Sequence, residues 1–120
     1  MPHITIEYTD NLIAAPDMQQ LFGELIDALY STGTVRANSV MVRAIKLDEW
    51  RVGGDPRQAF VHLKMATLDT RPPEFKKQVL ALFNPIMKSA FSRALQEQDC
   101  QICVEIQEIR TEFYDKFSAL

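Results

Sequence analysis

Apolar and polar residues alternate over Ile4 to Tyr8, Ile-Thr-Ile-Glu-Tyr, and this period of two with β-branched residues predicts a strand. Thr9-Asp10-Asn11 closes it. The period then lengthens to that of a helix at Met18, Leu21, Phe22, Leu25, Ile26 and Leu29. Pro16 and Asp17 are expected in its first turn, where a missing donor is harmless and a carboxylate faces the positive end of the dipole. Gly33 is the expected stop. Val40 to Leu47 predicts a second strand, with Arg43 set into an apolar run. The segment from Asp48 to Arg57, with Gly53, Gly54 and Pro56, is a loop. Ala59 to Thr67 predicts a third strand. Arg71-Pro72-Pro73-Glu74 announces a second helix carried by Phe75, Val79, Leu82, Ile86, Ala90 and Ala94, with a kink expected at Pro85. Ile102, Val104 and Ile106 alternate with Cys103, Glu105 and Gln107 as a fourth strand.

The order is β-α-β followed by β-α-β. It predicts an α+β fold in one domain, residues 1–120: a four-stranded sheet with two helices on one face. The pseudo-repeats span about 2–47 and 58–109, and a tail covers 110–120. Each crossover is long enough to join a parallel pair. Strand two is apolar on both sides, which a sheet covered on one face does not require; burial of the second face in an oligomer explains it. Phe113, Tyr114 and Phe117 make the tail too apolar for a free end, so it is expected to pack on a neighbour.

Charge and composition narrow the function. Lys and Arg total 13 against 16 Asp and Glu, a net charge of −3. Non-specific binding to nucleic acid or anionic membrane runs on an excess of basic residues, so neither is an expected partner. The longest purely apolar run, Val79 to Phe83, is far short of the roughly 18 residues of a membrane span. The N-terminus shows no basic lead or apolar block, so the expected location is the cytoplasm.

Three motifs have a mundane reading. Cys100 and Cys103 form C-x-x-C, but at a strand start, where a spacing of three sends side chains to opposite faces; no second pair completes a zinc site. His3 and His62, on adjacent strands, lack an identifiable third ligand and read as hydrogen-bonded structural residues. No metal or cofactor is expected. Ala59-Phe60-Val61-His62-Leu63 partly matches an RNA-recognition strand. However, Pro56, Arg57, Gln58 and Leu63 stand where its basic residue, glycine and stacking rings belong.

Pro2 is the most informative residue. Met followed by Pro favours removal of the initiator, which would leave a secondary amine at the start of strand one. Such an amine works as a base near neutral pH if burial and a nearby cation lower its pKa. Pro2-His3, Glu7, Asp10-Asn11, Thr32-Gly33, Arg43, Asp48, Trp50, the Ala59–His62 strand, Arg71 and Val104-Glu105-Ile106-Gln107-Glu108 follow in order over nearly the whole chain. In this order they resemble the tautomerase superfamily, and within it the 5-carboxymethyl-2-hydroxymuconate isomerase family.

That resemblance implies a homotrimeric, cofactor-free isomerase of aromatic-compound breakdown, acting on an unsaturated hydroxy or keto dicarboxylic acid. It implies Pro2 as general acid/base and Arg43 and Arg71 as substrate clamps. Arginine suits that role because its planar fork matches a carboxylate and does not compete as a base. Close family members carry a further arginine where this chain has Met41, which points to a less charged substrate. The alternative is a catalytically silent trimer of the same fold that binds a ligand or partner.

Overall fold

The structure, a computed structural model, describes residues 1–119. Its elements in chain order are β1 (His3–Thr9), α1 (Met18–Ser31), β2 (Met41–Leu47), β3 (Ala59–Leu68), α2 (Pro73–Ala90), α3 (Ser92–Glu97) and β4 (Cys100–Ile109), with 3-10 turns at Ala37–Ser39 and Thr111–Phe113. The sheet order is β2-β1-β3-β4. β1 runs parallel to β2 and β3 parallel to β4, so each β-α-β unit closes its own parallel pair. The units join through the antiparallel contact of β1 with β3. This is the expected four-stranded sheet with its helices on one face.

Strand alternation decides which side chains meet the helices. Ile4 and Ile6 of β1 and Val61, Leu63 and Met65 of β3 are fully buried. They pack with Leu21, Leu25 and Leu29 of α1 and Phe75, Val79, Phe83 and Met87 of α2. Each such side chain contributes about 1.5–3 kcal/mol by leaving water.

Several boundaries differ from the sequence expectation. Asp17 lies outside α1 as its N-cap, accepting from the Gln20 N–H at 3.2 Å; Pro16 precedes it. A capping carboxylate satisfies an otherwise orphaned donor, which outweighs its dipole contact one turn in. Gly33 follows the Thr32 cap at φ +85°, a left-handed conformation that glycine adopts without strain. The second helix does not reach Ala94. It ends at Ala90, Phe91 leaves helical geometry at φ −113°, and α3 starts anew. Its buried stripe is Phe75, Val79, Phe83 and Met87, one residue on from the expected Leu82 and Ile86, which are only half-buried. The helix continues across Pro85, flanked by two fully packed side chains.

β2 is an edge strand. Val42 and Ala44 pack on the core, while Met41 and Ile45 stay 42% and 45% exposed on the opposite face. Strand two is therefore covered on one side only within the chain. That open sheet face also carries Thr5, Glu7, Phe60, His62, Lys64 and Glu105, as the strand registers require. No helix of the described residues is long and apolar enough to cross a membrane.

One buried polar atom is out of place. Thr67 is 1% exposed, and its Oγ1 has no hydrogen-bond partner among the described residues. An unsatisfied buried hydroxyl costs about 1–3 kcal/mol. Thr67→Val keeps the shape and removes the cost. Urea unfolding is expected to show a gain of about 1 kcal/mol; a loss of that size would mean the hydroxyl has a partner.

Candidate active site

Pro2 is buried immediately ahead of β1. Its carbonyl accepts from the Met41 N–H at 3.1 Å, which extends the β1–β2 ladder to the second residue of the chain. A cavity of about 480 Å³ opens beside it. Pro2, Thr34, Ser39 and three cations, Arg36, Arg71 and Lys116, help to line it, and no acidic side chain among the described residues does. The Met1 amino group, one residue ahead of Pro2, feels this environment. It is held below its ordinary value by burial first, then by the charges of Arg71 and Lys116. Both effects disfavour a second positive charge there.

Arg71 sits just ahead of α2 and is tied to the loop after α1. Its Nη1 donates to Thr34 Oγ1 at 2.7 Å and its Nη2 to the Thr34 carbonyl at 2.9 Å. Its guanidinium carbon lies 4.5 Å from the centre of the Phe75 ring. These contacts fix the guanidinium plane at the cavity wall. The structure thus brings together two of the three residues singled out in the sequence, Pro2 and Arg71.

Arg43 is not in this cavity. It lies on the open sheet face, where Nη2 donates to His3 Nδ1 at 3.3 Å. A guanidinium only donates, so His3 Nδ1 is the acceptor and the ring proton is on Nε2, which donates to the Tyr114 oxygen at 2.8 Å. His3 is held below its ordinary pKa by burial first and then by Arg43, consistent with a neutral ring.

Sequence reasoning missed Arg36 and Lys116. The apolar character of the tail was visible; the fact that it folds back across the N-terminus was not. Thr111 Oγ1 donates to Asp69 Oδ1 at 2.6 Å and Tyr114 bonds His3, so Lys116 arrives beside Met1, its Nζ 3.6 Å from the thioether sulfur. Phe113 and Phe117 remain 76% and 92% exposed, so within the chain the tail is anchored by polar contacts rather than by those rings.

Elsewhere the chemistry is less suited to an anion. A cavity of about 550 Å³ at the far end of β1 and β2 is lined by Asp10, Asp48, Glu49, Trp50 and Arg57 among others, and its carboxylates repel an acidic ligand. Cys100 and Cys103 are free thiols at the start of β4, one on each face; burial pushes the Cys100 thiol up, the reverse of what a reactive thiolate needs. His62 meets Glu105 at 2.6 Å on the open face, a structural pairing. For RNA, that face offers one phenyl ring, Phe60, beside Glu7 and Glu105, whereas a base-stacking sheet uses two or three rings.

Comparison with known proteins gives the family. The family model of 5-carboxymethyl-2-hydroxymuconate isomerase matches residues 2–120. The chain belongs to this family. As a family member it is an isomerase. It is 24% identical over 110 residues to the 5-carboxymethyl-2-hydroxymuconate Delta-isomerase of Escherichia coli, covering 91% of this chain and 87% of that one. A 5-carboxymethyl-2-hydroxymuconate isomerase from Deinococcus radiodurans R1 superposes with a TM-score of 0.88 at 26% identity, over 98% of this chain and 89% of the other. The fold extends to more distant tautomerases. A fused 4-OT symmetric trimer matches with a TM-score of 0.73 at 16% identity, over 98% of this chain and 91% of its own.

Proposed function

We propose that this isomerase moves a proton within an unsaturated hydroxy or keto dicarboxylic acid, of the kind represented by 5-carboxymethyl-2-hydroxymuconate, with Pro2 as general acid/base. The observation that carries the reading is the juxtaposition of a buried proline near the chain start with a cavity whose charged side chains, among the described residues, are cationic.

With Met1 removed, Pro2 presents a secondary amine. Its lone pair takes a proton from the enol hydroxyl or the acidic carbon of the bound substrate. The conjugated system shifts, and the resulting ammonium returns the proton to a distant carbon. No electrons are gained or lost, and the base is regenerated. Arg71 supplies the fork that holds a carboxylate and stabilises the dienolate oxygen as charge develops. Its attachment to Thr34 means little reorganisation accompanies the reaction.

Arg43 enters the proposal through assembly. The exposed Met41 and Ile45 on the open face of β2, and the trimeric state of the fused 4-OT structure, support a homotrimer in which that face is covered. There Arg43 would act as a second clamp toward a neighbouring chain's site.

The test is turnover of 2-hydroxymuconate and phenylpyruvate, followed by the loss of enol absorbance, with intact mass confirming that the chain begins at Pro2. Ketonisation well above the buffer rate is expected with 2-hydroxymuconate. A rate equal to buffer for both substrates would leave a ligand-binding member of the fold instead.

A further inference from the structure

Resting on that reading of the Pro2 cavity, we propose that Lys116 is a second carboxylate-binding residue, carried into the site by the C-terminal tail, and that Tyr114 is the residue that positions it. No regular element holds Lys116. It follows the 3-10 turn at Thr111–Phe113, and two anchors set its place. Thr111 donates to Asp69, at the end of β3, and Tyr114 is bonded to His3, whose other nitrogen is engaged by Arg43. The Arg43–His3–Tyr114 chain ties the edge strand, the first strand and the tail together. The tail then reaches Lys116 two residues further on, against Met1 and the Pro2 cavity.

The position of Lys116 complements that of Arg71. Arg71 is supplied by the segment before α2 and is fixed by Thr34; Lys116 comes from the tail, and its Nζ meets the Met1 thioether. A sulfur atom is a weak acceptor for an ammonium. In a chain trimmed of Met1 that contact is gone, and the ammonium faces the space the Met1 side chain held. A substrate carboxylate is a far better partner for it. Arg71 then takes the carboxylate next to the reacting oxygen, and Lys116 the one at the other end. This arrangement selects doubly charged over singly charged substrates.

Binding distinguishes this from the isomerase reading itself. The probes are cis,cis-muconate, a diene with two carboxylates, and sorbate, a diene with one, titrated calorimetrically into the full-length chain with Met1 removed. Lys116→Ala is expected to weaken muconate binding about tenfold, the size of one charge-assisted contact, and to leave sorbate within twofold. Lys116→Arg should restore muconate binding. Tyr114→Phe should shift muconate in the same direction without moving sorbate, whereas a general loss of structure would weaken both. Equal effects on the two ligands, no effect of Lys116→Ala, or no muconate binding by the unmodified chain would each overturn the proposal. Muconate binding that depends on Lys116 without turnover of any enol would sustain it and remove the isomerase reading alone.

Discussion

A single residue left ahead of Pro2 is expected to lower kcat/KM by about 10²–10⁴-fold against a chain that begins at Pro2, the usual contribution of a positioned acid/base group. The extension turns the proline nitrogen into a tertiary amide with no basic lone pair. It leaves the core untouched, because Pro2 is held by its carbonyl, which still accepts from Met41, and a glycine as the added residue keeps the cavity beside Lys116 clear of a side chain. The comparison needs two preparations: one with an uncleaved single-residue extension and one processed to Pro2, each verified by intact mass. Both should unfold at the same temperature. Equal turnover by the two would exclude the proline nitrogen as the proton carrier, whatever the rate.

Arg71→Ala is the second large effect. Two charge-assisted hydrogen bonds to a carboxylate are lost, and at about 1.5–3 kcal/mol for a bond to a charged group the loss in kcat/KM should be at least about 10²-fold. Arg71→Lys should recover only part of it, since an ammonium supplies charge but not a planar fork. The pH profile offers an independent reading. The Met1 amino group is held down by burial and then by Arg71 and Lys116, and a Pro2 amine exposed by loss of Met1 would share the cavity with the same two cations. A general base is active when deprotonated, so activity climbs as pH rises through the amine pKa. Removing the Arg71 charge raises that pKa, and the acid limb of kcat/KM should move to higher pH. A loss of activity with an unmoved acid limb would confine Arg71 to substrate binding. Phe75, 7% exposed beneath the guanidinium, is partly uncovered by the change, so the melting temperature should be measured alongside.

Much of this architecture was legible in the residues because local pattern and tertiary role agree. Ile4 and Ile6 alternate as a half-buried strand must, and Leu21, Leu25 and Leu29 keep one stripe of α1 on the core. Misjudged boundaries fall where side-chain chemistry competes with periodicity: Asp17 caps rather than joins α1, and Phe91 breaks a helix whose apolar pattern continues to Ala94. In the site, Pro2 could be found because a proline directly behind the initiator is a distinctive local context, whereas Arg71 was marked by the family resemblance and not by its own surroundings in the chain. Lys116 had none. Its role depends on Tyr114 reaching His3, 111 positions away in the chain, a contact with no local signature. Arg43 was legible as an arginine in an apolar strand, but which side of the sheet it serves depends on register, since it is paired with Thr5 on the face without helices.

The bond from the Met41 N–H to the Pro2 carbonyl has a consequence for how this protein can diverge. The residue that would carry the proton is stitched to the sheet, whereas Arg36, Thr34 and Lys116 come from connecting segments and the tail. Recognition and reactivity are therefore mechanically separable. Grafting a different loop or terminal stretch onto this frame should redirect which acids it accepts while leaving the nitrogen where it is.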